Sequence, residues 1–82
     1  MRAGDIVRAT AGKDKEKVFL ILSVDETDAL IVSGRRRKVQ RPKRKSLKHL
    51  VLVQEDTLPP TVTNKTVKKL LQPFYSQHKE EN

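Results

Sequence analysis

The chain has 82 residues, 35% of them hydrophobic and 34% charged, with 18 lysines and arginines against ten acids and a net charge of +8. That length holds one domain with a small core, the absence of cysteine excludes a disulfide framework and thiolate metal sites, and the longest apolar run, Val18 to Leu22, is too short to cross a bilayer. The basic balance points to nucleic acid, an acidic protein or an anionic surface as partner; with no cysteine and no signal-type leader, the expected compartment is the cytoplasm.

A first strand is predicted over Asp5–Thr10, with Arg8 pointing away from the core. Gly12 and Asp14 break it, and the loop carries Lys13, Lys15 and Lys17 at every second position. If the loop is partly extended, that alternation sets three ammonium groups on one side and makes a turn into a phosphate-facing surface. A second strand runs from Lys17 to Val24. Its apolar run is continuous, so it either bends sharply across a small barrel or is covered by the C-terminal segment. Asp25-Glu26-Thr27-Asp28 reads as a solvated turn whose acids face away from RNA. Ala29–Ser33 is a third strand, ended by Gly34.

Val39-Gln40-Arg41-Pro42 is predicted as a short fourth strand, Lys43–Ser46 as loop, Leu47–Leu50 as a turn of helix and Val51–Val53 as the last strand. Thr57-Leu58-Pro59-Pro60 is a linker. Beyond it Asn64 is the expected N-cap of a helix with Val67, Leu70, Leu71 and Phe74 on one face and Lys65, Lys68 and Lys69 on the other. Pro73 should end or kink that helix. The expected architecture is mostly β: a small SH3-like five-stranded barrel over residues 1–55, a proline-containing linker over 56–62, a short helix over 63–74 docked on the barrel, and a frayed polar tail over 75–82.

The stretches Gly4-Asp5-x-Val7, Gly12-Lys13-Asp14-Lys15 and the apolar strand from Val18 resemble the KOW motif of ribosomal proteins and transcription elongation factors. They are similar to the KOW-bearing large-subunit ribosomal proteins of archaea and eukaryotes, and to small bacterial RNA-binding proteins of that type. The likeness extends to the later Lys48-His49-Leu50 segment. It implies the same SH3-like barrel, and RNA, above all ribosomal RNA or the ribosome, as partner. The pattern usually carries a second glycine where this chain has Glu16. A glycine there takes positive φ or lets an RNA backbone come close, and a glutamate does neither easily.

No catalytic constellation is visible. There is no cysteine nucleophile, His49 and His78 are far apart in sequence, and Gly12-Lys13 lacks the other residues of a phosphate-cradling loop. Asp25, Glu26 and Asp28 alone do not make a magnesium site. The chain is read as a monomeric binding protein, not an enzyme, with no cofactor, metal, small-molecule substrate or membrane association.

The positive signal is Arg35, Arg36, Arg37, Lys38, Arg41, Lys43, Arg44, Lys45 and Lys48, with no acid among them. Such a block repels itself and is expected to be mobile without a polyanion. Guanidinium groups grip phosphates with two hydrogen bonds, and lysines add point charge. With Arg8, Gly12, Lys13, Lys15, Lys17 and His49, these residues form the expected RNA-binding set, the two basic segments meeting on one rim. His49 either closes the barrel or contacts a base or phosphate. Phe19, Phe74 and Tyr75 are the only aromatics, too few for a base-stacking platform, so recognition should be by backbone and shape. An SH3-like protein-interaction module and a double-stranded DNA binder remain as alternatives.

Overall fold

The sheet is built around the uninterrupted apolar run that begins at Val18. A computed structural model describes residues 1–75 of the chain. Its elements are β1 (Ile6–Ala9), β2 (Val18–Val24), β3 (Asp28–Val32), β4 (Lys43–Ser46), a 3-10 turn (Leu47–His49), β5 (Leu50–Gln54) and α1 (Asn64–Tyr75). The five strands form one antiparallel sheet in the order β4-β3-β2-β1-β5.

Alternation along the strands sends side chains to two cores. Phe19 and Ile21 of β2 join Val7, Ala9, Ala29, Ile31 and Leu50 on one face. Val18 and Leu20 join Ile6 and Val32 on the other, where Val67 and Leu71 of α1 cover them. The continuous run is therefore explained by burial on both faces, and the C-terminal helix supplies one of the two covers. A helix of 12 residues is marginal alone. Val67 and Leu71 are fully buried, and each such burial contributes about 2 kcal/mol.

The strand boundaries differ from expectation at β1 and β4. Asp5 does not open β1; its buried carboxylate accepts the Arg2 N–H at 2.9 Å and the Asp56 N–H at 3.3 Å. It thereby ties the chain start to the segment after β5. The predicted strand at 39–42 is a turn, closed by an Arg41 N–H to Lys38 carbonyl bond of 2.9 Å. The predicted loop at 43–46 is β4, paired with β3 through Ile31–Lys43 and Ala29–Lys45. Lys-Arg-Lys-Ser has weak strand propensity; the open edge of β3 and the partners its cations find decide the matter. The third strand begins at Asp28 and releases Ser33 to the following turn.

The helix is capped by Thr63, not Asn64. Thr66 N–H donates to Thr63 Oγ1 at 3.1 Å, and the Thr63 carbonyl accepts the Val67 N–H at 2.9 Å. Asn64 instead accepts the Val39 N–H at 2.8 Å and donates to Gln40 Oε1 at 2.9 Å. Threonine and asparagine both cap well, and starting from Thr63 frees Asn64 to satisfy the turn opposite. Pro73 does not end the helix, which runs on to Tyr75. Phe74 and Tyr75 pack against the second core and hold this last turn in place. Tyr75 thus belongs to the helix and not to a frayed tail; residues 76–82, with His78, lie outside the described residues. Among the described residues no helix is long and apolar enough to cross a membrane.

Gly4 sits at φ +98°, and a Cβ there would stand 2.5 Å from the Leu58 amide nitrogen. The backbone of the linker passes against it. Gly4→Ala is expected to cost about 2–4 kcal/mol, combining a left-handed residue with a clash against backbone, as read by urea unfolding.

Candidate nucleic-acid interface

The β1–β2 connection is a bulged hairpin. Ala9 N–H donates to the Lys17 carbonyl at 3.0 Å, and Glu16 N–H donates to the Ala9 carbonyl at 2.8 Å. Two residues, Glu16 and Lys17, thus oppose one. The first residue of such a bulge takes the left-handed conformation that glycine favours. Glu16 takes it, at φ 74°, at an intrinsic cost of about 1–2 kcal/mol. The second glycine position of the KOW-like pattern is therefore a positive-φ position in this chain, and the glutamate adopts it despite the strain. Within the loop, Lys15 N–H reaches the Gly12 carbonyl at 3.2 Å and Lys17 N–H the Asp14 carbonyl at 2.9 Å. The loop is a pair of turns, not an extended segment. Lys13, Lys15 and Lys17 are exposed by those turns, not by strand alternation. Gly12, at φ +79°, opens the first of them and turns the chain into the loop after β1.

Asp14 is the pivot. Its carboxylate is buried inside the loop, 2.9 Å from Lys43 Nζ and 3.9 Å from Arg37 Nη2. Burial pushes the carboxyl up, but the hydrogen bond and charge of Lys43, with Arg37 and Lys17, outweigh it and hold Asp14 below the usual carboxylate range. Lys45 Nζ donates to the Ala11 carbonyl at 3.0 Å. The first basic loop and part of the second segment are thereby in direct contact. In the sequence Asp14 read as a strand breaker and as part of the Gly12-Lys13-Asp14-Lys15 stretch, with no ion-pairing role. The signal that could have marked it is a lone carboxylate enclosed by lysines, next to a block short of counter-ions.

The second segment is divided. Along β4, alternation sends Lys43 and Lys45 toward the loop and Arg44 away from it. Arg44 Nη1 lies 3.3 Å from Asp28 and 3.5 Å from Asp25. The acidic turn is more than a solvated connection. Asp25 Oδ1 accepts the N–H groups of Thr27 at 2.9 Å and Asp28 at 2.8 Å, and these bonds lower its carboxyl's pKa. The expectation that none of the nine cations has an acidic partner is overturned for Arg37, Lys43 and Arg44. The arginine run is also not loose chain. Ser33 Oγ accepts the N–H groups of Arg35 at 3.3 Å and Arg37 at 3.2 Å, and Ser33 N–H donates to the Arg37 carbonyl at 2.8 Å. Local hydrogen bonds set the shape of that turn.

Arg8 lies half-buried on β1, its Nε 4.0 Å from the Glu16 carboxylate. Arg35, Arg36, Lys38, Arg41 and Lys48 are exposed, with no ion pair among the described residues. His49 is half-buried in the 3-10 turn, where its carbonyl accepts the Thr10 N–H at 2.9 Å; its backbone joins the 3-10 turn to the end of β1. Phe19 is core. No group of three His, Asp or Glu side chains among the described residues is placed to hold a metal ion. No known protein family matches the chain, and no curated protein matches it either.

Two outcomes follow from the loop. Glu16→Gly relieves the left-handed residue and should raise stability by about 1 kcal/mol in thermal or urea unfolding. Asp14 has a depressed carboxyl pKa, so its ion pairs contribute stability above the ordinary aspartate range and lose it as pH falls through the folded value. Stability should decline below about pH 4. Asp14→Asn should be less stable at pH 7 and show a shallower acid limb in a pH series of urea midpoints.

Proposed function

We propose that this chain is a small cytoplasmic RNA-binding protein of the KOW kind, its sheet curled into an SH3-like barrel, that grips folded RNA by its phosphates, with ribosomal RNA as the target. The observation that carries this reading is the meeting of the two basic segments on Asp14. Lys13, Lys15 and Lys17 from one loop stand beside Arg37, Lys43 and Lys45 from distant parts of the chain, six cations against the carboxylates of Asp14 and Glu16. Like charges gathered at this density cost free energy unless an anion answers them. A run of phosphates is an anion with the multiplicity to answer six cations.

The curled-barrel reading is supported by two bulges, one at Val53 opposite the Ile6/Val7 step and one at Leu22 between Ile21 and Ser23, which bend β5 and β2. It is also supported by the single 3-10 turn joining the two edge strands β4 and β5. Phe19 is buried, so the exposed surface offers phosphate contacts and no row of stacking rings. Such a site orients on backbone shape and binds without chemistry.

If about five to eight phosphates are contacted, log affinity should fall against log salt with a slope of roughly −3.5 to −7. Lys13→Ala/Lys15→Ala/Lys17→Ala should weaken binding to folded RNA about ten- to a hundredfold and flatten that slope by about two to three. Arg44→Ala, whose guanidinium is held by the acidic turn, should leave both nearly unchanged. Fluorescence anisotropy across a salt series measures both variants. A slope near zero in the parent protein would refute the reading.

A further inference from the structure

The C-terminal helix covers the sheet, and its outer face has the same character as the loop. Lys65, Lys68 and Lys69 lie within one third of the helix circumference, opposite the buried Val67 and Leu71. All three are exposed, and none has an ion-pair partner among the described residues. The sequence has no acid between Asp56 and Glu80 to answer them. Fold stability does not account for them. They stand in the first half of the helix, where the dipole disfavours cations, while the last turn, which favours them, has none.

The helix is also locked to the arginine turn at both ends. Asn64 holds Val39 and Gln40 through its side chain. Gly34, at φ +78°, lets the turn approach so closely that a Cβ there would stand 2.6 Å from the Asn64 carbonyl oxygen and 2.9 Å from Lys68 Cγ. At the far end the Tyr75 hydroxyl donates to the Ser33 carbonyl at 3.4 Å, and the Arg35 guanidinium sits 5.0 Å from the centre of its ring. The turn therefore faces two ways. Arg37 reaches the loop through Asp14, while Arg35 lies over Tyr75 and its neighbour Gly34 stands against Asn64 and Lys68.

We propose that Lys65, Lys68 and Lys69, together with Arg35 and Arg36, form a second phosphate-binding face on folded RNA, continuous through the arginine turn with the loop face. This rests on the RNA-binding reading above. The helix is then both a cover for the sheet and half of the binding surface.

Lys65→Ala/Lys68→Ala/Lys69→Ala is the test, because alanine raises helix propensity and the buried face is untouched. Far-ultraviolet circular dichroism should be unchanged. Binding to a hairpin RNA of about 16 base pairs should weaken about ten- to a hundredfold at 0.1 M salt, with the salt slope reduced by about two to three. The loop variant Lys13→Ala/Lys15→Ala/Lys17→Ala is measured beside it. Full affinity and an unaltered slope in the helix variant, while the loop variant loses both, would overturn this inference and leave the RNA-binding reading standing. Absence of binding by the parent protein would remove both.

Discussion

β2 has apolar side chains on both faces, and the rest of the chain is arranged to cover them. One face needs residues of β1, β3 and β5 to pack against Phe19 and Ile21. The other needs a separate layer over Val18 and Leu20, which the C-terminal segment supplies through Val67 and Leu71. That need sets the path of the linker over Gly4, the landing of α1, and the burial of Val67 and Leu71. A short helix with a proline in its last turn and lysines near its N-terminus has little reason to form by itself; packing against β2 provides it.

Electrostatic strain is handled by position. Among the described residues four cations meet carboxylates: Lys43 and Arg37 share Asp14, Arg44 takes Asp25 and Asp28, and Arg8 stands 4.0 Å from Glu16. Asp14 does this from inside the loop, where burial would favour its neutral form if Lys43 were absent. The ion pair is thus a hinge between sequence segments 29 residues apart, and it gathers the cations that remain free. Tyr75 plays a related part at the other end of the turn. Burial raises its phenol pKa, Arg35 opposes that, and the hydroxyl stays a donor to the Ser33 carbonyl at neutral pH.

The departures from expectation have one common source. Lys43–Ser46 has the composition of a loop, and Asn64 has the composition of a cap; each was reassigned by a partner far away in sequence. Glu16 is the reverse case: its local preference is against the left-handed conformation, and the hairpin's two bonds, from Ala9 N–H to the Lys17 carbonyl and from Glu16 N–H to the Ala9 carbonyl, impose it. Local composition carried the most information where elements are long and periodic, as in β2 and α1. It carried the least where a short charged segment had to choose between solvent and a neighbour.

By itself the sequence determined the mostly β character, the strand–basic loop–strand opening, the amphipathic C-terminal helix and the two concentrations of positive charge. Each of these follows from local periodicity, turn residues and charge count. Tertiary structure alone decided which cations share a surface. Lys43 and Lys45 point to the loop and Arg44 away from it because strand pairing puts successive residues on opposite faces. Arg35 and Arg37 part company because one meets Tyr75 and the other Asp14, contacts that exist only once the helix and the hairpin have both docked on the sheet.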